Sequence, residues 1–319
     1  MSLFCDITCA IALFIFGITL LGEGLDNLAK GTVERAVQKA TGNRMRGFLT
    51  GTAVTAVVQS SAAVSVLTAE LSQSGVLALR QTIPVLIGAN VGTTVTAWLL
   101  CASRELPYSE MISALLGLIG TGLYLMPSRR QWGRVVLGMF LLLSGMKAVT
   151  AAVLPLTRTA WVTRLLAASQ RPMWGLLSGI LLTVLTQSSS VSVGLLQALS
   201  ASGRLCYAAA IPMVLGQNIG TCLMVFLVAL GGKHRAGQAA WAHLLFNVIG
   251  SAITLFLLGV IKLFRFTDIL VHTVDFMGVA MIHTMFNLSS AAVFLPLNET
   301  FAMWIERFTV RPWSGSANR

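Results

Sequence analysis

Long apolar runs alternate with short polar connections along the whole chain. Runs close to the 20 or so residues that a helix needs to span a hydrocarbon core fall at roughly 4–28, 82–101, 109–126, 133–154, 207–231, 238–262 and 273–297. Two further runs, 47–72 and 175–200, are each interrupted near the middle by a polar tripeptide, Gln59-Ser60-Ser61 and Gln187-Ser188-Ser189. Three consecutive hydrogen-bonding side chains at mid-depth do not suit a straight lipid-facing helix. Split there, each run yields two arms of about 12 residues, roughly 18 Å apiece and a little over half the core thickness. Either a re-entrant hairpin or a spanning helix unwound at its centre is expected. In the connection 30–46, Val33, Val37 and Ala40 recur at helical spacing among basic residues, which predicts a short helix on the membrane surface.

Composition carries the same reading to the outside of the molecule. Of 319 residues, 55% are hydrophobic and only 10% charged, whereas a water-soluble surface of this size needs roughly 25% charge. The net charge of +11 does not point to nucleic acid, because the basic residues sit in short connections between apolar runs, where they orient a membrane protein. The basic-rich connections (30–46, 127–134, 232–237 and the C-terminal tail) fall on one side when sides are alternated along the chain. That side is expected to be cytoplasmic, which places the N-terminus outside and the C-terminus inside an inner (plasma) membrane. Cys5, Cys9, Cys101, Cys206 and Cys222 form no CxxC pair and read as packing residues rather than a disulfide framework or metal site. Met1–Asp6 lacks a basic leader, so a cleaved signal peptide is not expected.

The chain is internally duplicated. With Gln59 placed on Gln187, an offset of 128, residues 47–93 align with 175–221 without a gap and 19 of 47 positions are identical. The matches include Gly51/Gly179, Thr55/Thr183, Ser60/Ser188, Ser61/Ser189, Gly75/Gly203, Pro84/Pro212, Gly88/Gly216, Asn90/Asn218 and Thr93/Thr221. Upstream the register shifts to 121, with Gly17 and Gly24 on Gly138 and Gly145. The expected organisation is a first unit at 1–130 with its broken segment at 47–72 and a second at 131–264 with its broken segment at 175–200. An additional transmembrane helix follows in 265–300, then a cytoplasmic tail at 301–319. Duplicated membrane units are the usual build of secondary transporters. Re-entrant segments make the second unit inverted, and spanning ones make it parallel. The expected fold is therefore an all-α polytopic membrane protein with two inverted-topology repeats, each carrying a Gln-Ser-Ser hairpin.

A helix interrupted at mid-membrane exposes free N–H groups at the start of its second arm and free carbonyls at the end of its first. One suits an anion and the other a sodium ion. Ser60, Ser61, Ser188, Ser189 and Ser190 add hydroxyls, and Gln59 and Gln187 add amides that both donate and accept. No basic residue lies in either triplet, so an oxyanion here needs co-bound cations to offset its charge in low dielectric. The second motif pair, Gly88-Ala89-Asn90-Val91-Gly92-Thr93 and Gly216-Gln217-Asn218-Ile219-Gly220-Thr221, offers Asn90, Thr93, Asn218 and Thr221 as further sodium candidates beside Gln59, Ser60, Gln187 and Ser188. The competing reading for any single serine or glycine is helix packing. Two matched Gln-Ser-Ser triplets favour binding.

Duplicated Gln-Ser-Ser segments, each followed by a Pro-containing Gly-x-Asn-x-Gly-Thr helix, resemble the type II sodium/phosphate cotransporter family, from Gly17 to Pro296. The resemblance implies inverted repeats and a phosphate site with sodium between the hairpins, formed by Gln59, Ser60, Ser61, Gln187, Ser188, Ser189 and Ser190. It identifies a bacterial-type member without the C-terminal regulatory domain that some relatives carry. Ala62 replaces the third serine of the first unit, which puts that position in doubt as a ligand. Some relatives are thought to export phosphate, so direction stays open, as does another oxyanion. The expected partners are inorganic phosphate, sodium and the bilayer, with a homodimer as an option. No cofactor other than the coupling ion is expected, and no metal beyond sodium.

Other polar residues inside the runs have two readings each. Glu23 and Asp26 share a face of the first helix, and Lys147 is the equivalent of Asp26. The pair either snorkels at helix ends or forms a charge pair between units, and Glu23 could hold a cation. His243-x-x-Phe246-Asn247 and His283-x-x-Phe286-Asn287 read first as interhelical hydrogen-bonding groups and second as proton or substrate handlers. A non-transporting membrane scaffold or an intramembrane serine hydrolase is the remote alternative; the hydrolase would need a base beside Ser60 or Ser188, and a duplicated nucleophile argues against it. The chain is not expected to be an enzyme.

Overall fold

The computed structural model describes residues 2–29, 31–39, 42–105, 109–229, 234–264 and 268–310. Every extended element among them is a helix. The first six are α1 (Ser2–Ala29), α2 (Thr32–Lys39), α3 (Arg44–Val58), α4 (Ser61–Gln73), α5 (Leu79–Glu105) and α6 (Ser109–Leu125). The next six repeat the order: α7 (Arg130–Leu156), α8 (Ala160–Ser169), α9 (Pro172–Thr186), α10 (Ser189–Ser200), α11 (Tyr207–Ala229) and α12 (His234–Leu263). The chain continues with α13 (Asp268–Val271), α14 (Phe276–Phe294) and α15 (Asn298–Val310).

Among the described residues, five helices are long and apolar enough to cross a membrane: Leu3–Ala29, Leu79–Ala102, Pro127–Leu156, Arg235–Ile261 and Phe276–Phe294. Their outward faces carry large apolar side chains such as Phe16, Trp132, Phe256 and Met285. Such a surface is solvated by lipid, and the protein is a multi-pass helical membrane protein.

The duplication recurs in the packing. Gly17 of α1 lies against the backbone of Leu142 in α7, and its equivalent Gly138 lies against Leu21. Gly24 lies against Val135, and its equivalent Gly145 against Phe14. In all four contacts the two residue numbers add to the same value, so α1 and α7 run antiparallel and meet at a local two-fold. Glycine allows this because no Cβ separates the backbones, and close approach is what drives helix association where lipid removes the hydrophobic incentive. Phe14, fully buried, is packed both on Gly145 and on Gly194 of α10, so it ties this pair to the second broken segment.

The two motif helices are held the same way in both units. Gly88 of α5 abuts the Phe48 carbonyl of α3, and Gly216 of α11 abuts the Leu176 carbonyl of α9. The partners 48 and 176 differ by the sequence offset of 128. Beside these pairs, α14 docks on α5, where Trp98 Nε1 donates to Thr284 Oγ1 at 2.9 Å.

Two segments differ from the sequence expectation. Residues 301–310, assigned to a tail, are helical in α15 and bury Phe301, Ala302 and Ile305 against Phe294 and Ile87. Phe294 and Phe301 meet edge to face at 5.1 Å. Glu299, Glu306 and Arg307 interrupt the apolar pattern there, and only the turn-by-turn spacing of the buried residues marks a helix. The connection after α7 is likewise not plain loop, since it contains α8. The expected helix in 30–46 is α2, with Val37 buried, while Lys30 and Ala40 lie outside the described residues.

Candidate functional site: two helix breaks around one cavity

Each Gln-Ser-Ser triplet is a helix break of the same design. α3 ends at Val58, Gln59 takes the left-handed conformation (φ 59°), and Ser60 is the extended N-cap of α4, accepting from Ala63 N at 3.2 Å. α9 ends at Thr186, Gln187 is left-handed (φ 51°), and Ser188 caps α10 by accepting from Val191 N at 3.3 Å. Gln59 and Gln187 are the two non-glycine residues with positive φ among the described residues. That conformation costs a side-chain-bearing residue about 1–2 kcal/mol, and it occurs at both duplicated glutamines.

The chain turns back at the second break. Thr183 Oγ1 donates to Ser192 Oγ at 2.9 Å across it. Nine residues of straight helix would set these groups about 13 Å apart along the axis. In the first unit Thr55 is the equivalent of Thr183, but Val64 stands where Ser192 is, and Thr55 Oγ1 has no partner.

The two breaks meet at a cavity of about 60 Å³, lined by Gln59, Ser60, Ser61 and Ala62 from one and Gln187, Ser188, Ser189 and Ser190 from the other, with Thr183 and Thr221. Lining is thus wholly neutral. Capping leaves the N–H groups of Ser61 and Ala62, and of Ser189 and Ser190, without intrahelical acceptors, as at any helix start. Each helix N-terminus carries roughly half a positive charge. Two such ends together offer an anion N–H donors and hydroxyls in a site with no fixed counter-charge.

The breaks are linked through α5. Thr96 of α5 donates to Gln59 Oε1 at 2.7 Å and lies 3.3 Å from Ser190 Oγ. Gln59 Nε2 donates to the Ala56 carbonyl at 2.5 Å. Both the nitrogen and the oxygen of the Gln59 amide are therefore bonded within the protein. Gln187 is exposed, with no side-chain hydrogen bond among the described residues.

The structure brings all seven Gln-Ser-Ser residues to the cavity, but only one of the four second-motif candidates. Thr221 lines it, with its hydroxyl donating to the Gln217 carbonyl at 3.0 Å. Thr93 donates to the Ala89 carbonyl and Asn218 to the Val214 carbonyl, both one turn back in their own helices. Asn90 is held elsewhere: its Oδ1 is 2.9 Å from His243 Nε2, and its Nδ2 donates to Asn247 Oδ1 at 2.9 Å. Asn247 in turn donates to Cys222 Sγ at 3.0 Å. His243 thus bonds a neighbouring helix, and neither it nor His283 lines the cavity. Among the described residues no serine of the cavity has a histidine beside it, and no cluster of three metal-ligating side chains occurs.

Glu23 and Asp26 are exposed on α1, and Lys147 is exposed on α7. In the antiparallel register Lys147 stands opposite Ala12. Asp26 is fourteen residues further along α1, about 21 Å away. Asp26 and Lys147 are therefore too far apart to pair with each other. Residues that the sequence reading did not assign to the site are Thr96 and Thr183. Thr183 carried a signal as a duplicated threonine, whereas Thr96 carried none, because its equivalent is Met224.

The Na+/Pi-cotransporter family model matches residues 13–151 and again residues 141–286. A relative from Bacillus subtilis (strain 168), the uncharacterized protein YqeW, is 30% identical over 305 residues, covering 94% of this chain and 96% of its own. YjbB of Escherichia coli (strain K12), whose name makes it a candidate inorganic phosphate export protein, is 27% identical over 303 residues. That match covers 92% of this chain but only 53% of YjbB, so the chain spans about half of that relative. The sodium-dependent phosphate transport protein 2A of Rattus norvegicus is 41% identical over 87 residues, 25% of this chain and 14% of its own. No solved structure matches. A family model matched twice in succession, on a chain whose helices repeat in the same order, shows that this protein belongs to the Na+/Pi-cotransporter family, a class of transporters and not of enzymes.

Proposed function

We propose that the protein is a sodium-coupled carrier of inorganic phosphate that works by alternating access in the inner (plasma) membrane. The observation that carries this reading is the single neutral cavity shared by two duplicated helix breaks. Phosphate would be held by Ser60, Ser61, Ser188, Ser189 and Ser190, by the Gln187 amide, and by the free N–H groups at the starts of α4 and α10. Gln59 contributes through its place at the first break. Sodium offsets the anion's charge, since no lysine or arginine lines the cavity and an uncompensated multiply charged anion is prohibitive in low dielectric. Hydroxyl, amide and carbonyl oxygens at the breaks (Gln59, Ser60, Gln187, Ser188, Thr221) suit a hard cation.

The antiparallel α1–α7 pair supports inverted repeats, because equivalent helices running in opposite directions belong to units of opposite topology. The fold-back at Thr183–Ser192 supports re-entrant hairpins. The basic connections support an external N-terminus and a cytoplasmic C-terminus.

The test is uptake of radiolabelled phosphate into proteoliposomes under an inward sodium gradient, with a potassium control and a Gln187→Ala, Ser188→Ala variant. Uptake that requires sodium and is lost in the variant is expected. Absence of sodium-dependent uptake by folded protein would remove the reading. A second reading, export, is favoured by the name of the Escherichia coli relative, and the same vesicles loaded with phosphate test it through efflux.

A further inference from the structure

The hydrogen-bond chain over the cavity has a direction. Gln59 Nε2 donates to the Ala56 carbonyl, which can only accept, so the other amide atom is Oε1 and it too can only accept. The Thr96 hydroxyl therefore gives its one proton to Gln59 Oε1. Its contact with Ser190 at 3.3 Å must then be made with the Ser190 proton, donated to Thr96. Protons run from Ser190 to Thr96 to Gln59. Ser190, which lines the cavity, is left with lone pairs alone to offer a ligand.

This order exists on one side of the site only. The equivalents of Ser190 and Thr96 are Ala62 and Met224, which have no hydroxyl. The same helix pair is hydrogen-bonded again two turns on, where Gln197 Nε2 donates to the Ala97 carbonyl at 3.1 Å. The equivalents of Gln197 and Ala97 are Ala69 and Val225. The seam between α10 and α5 is thus polar and directional, and neither of these side-chain bonds can form at the equivalent positions of α4 and α11.

We propose that Thr96 is a specificity-determining positioning residue, which turns Ser190 into an obligate acceptor and so selects a tetrahedral oxyanion that still carries a proton. Phosphate near neutral pH is such an anion, because its P–OH can donate to Ser190. Sulfate is a dianion of the same shape without a proton, and it meets the Ser190 lone pairs with its own. A buried polar group that cannot be satisfied by the wrong ligand is the strongest source of discrimination available to a site. Thr96 has no need to touch the ligand, and its effect passes through Ser190. The inference rests on the phosphate-carrier reading for its ligand, but not for the hydrogen-bond relay itself.

The experiment compares wild type, Thr96→Val and Thr96→Ser in two assays. The first is competition of unlabelled sulfate against labelled phosphate uptake in proteoliposomes. Thr96→Val frees the Ser190 proton to serve sulfate, and the preference for phosphate is expected to narrow by about tenfold or more. Thr96→Ser, which keeps the hydroxyl, is expected to retain the preference. The second is hydrogen–deuterium exchange over 59–64 and 188–193 in ligand-free protein, expected to rise in Thr96→Val and not in Thr96→Ser. Folded Thr96→Val with unchanged selectivity overturns the proposal, as does Thr96→Ser behaving like Thr96→Val. If wild type takes up no phosphate, the carrier reading and the ligand assignment fall together, and the exchange data alone decide whether the relay exists.

Discussion

Gly179 of α9 lies against the main-chain carbonyl of Met213 in α11, so closely that a methyl group on Gly179 would overlap the oxygen. The equivalent pair, Gly51 and the Val85 carbonyl, is in the same contact between α3 and α5. These contacts set the first arm of each broken segment on the helix that bears the Gly-x-Asn-x-Gly-Thr motif, and so fix where each break lies. Gly179→Val should cost about 1–3 kcal/mol or more through overpacking against backbone, which cannot rotate away. Thermal unfolding in detergent measures it, with Gly259→Val as a control because open space surrounds that position. Equal losses for the two variants would mean that the contact does not hold the arms.

The two glutamines are equivalent in sequence and in backbone, but their amides are not in equivalent settings. Gln187→Ala should abolish most phosphate uptake and leave thermal stability almost unchanged, because among the described residues the amide has no intramolecular bond to lose. Gln59→Ala should lower stability by about 1 kcal/mol, since it takes the acceptor from Thr96. Gln187→Gly adds a sharper expectation. It relieves roughly 1–2 kcal/mol of left-handed strain against a chain-entropy cost of about 0.5–1 kcal/mol, so this variant should be slightly more stable than wild type and still inactive. A Gln187→Gly protein with full uptake would show that the amide is not a ligand.

The helical runs were legible because each is long, apolar and bounded by charge, and the duplication was legible because Gly, Pro, Asn and Ser rarely match by chance in apolar sequence. Both broken segments were readable from a polar triplet set in an apolar run. What was not legible depends on pairs distant in the chain. Asn90 and Asn218 look alike in sequence, yet Asn90 is engaged by α12 and Asn218 bonds its own helix, and only the placement of α12 separates them. Thr96 lies outside the gapless alignment, opposite a methionine, so duplication gave it no prominence. The α15 helix was hidden because its buried positions are few and its exposed face mixes the charged Glu299, Glu306 and Arg307 with the apolar Met303, Trp304 and Phe308. In each case the local pattern was present, and the partner that gave it meaning was supplied by tertiary packing.

Asn90 joins His243 and Asn247 in a fully buried group. Asn90→Ala should cost about 1–3 kcal/mol for each buried polar group left unpaired, on His243 and on Asn247. If the role of Asn90 is structural, the sodium concentration for half-maximal uptake should stay unchanged in whatever fraction remains folded. A tenfold rise would instead make Asn90 a sodium ligand in a conformation other than this one. Proteoliposome uptake over a sodium titration, normalised to folded protein by gel filtration, separates the two outcomes.

Thr55 and Thr183 provide the last comparison, since one sequence position meets two environments. Thr183 donates to Ser192, which is itself fully buried. Thr183→Val removes that donor at nearly constant shape, so stability should fall by about 1–3 kcal/mol. Thr55 is also fully buried, but its hydroxyl has no partner and Val64 lies where the serine would be. Thr55→Val removes a desolvated hydroxyl without breaking a bond, and stability should hold or rise. Thermal unfolding of both variants, with and without sodium, reads the difference. A Thr55→Val protein that is stable without sodium but no longer gains stability when sodium is added would mean that this hydroxyl is kept for an ion, and the first broken segment would then be the one that binds it.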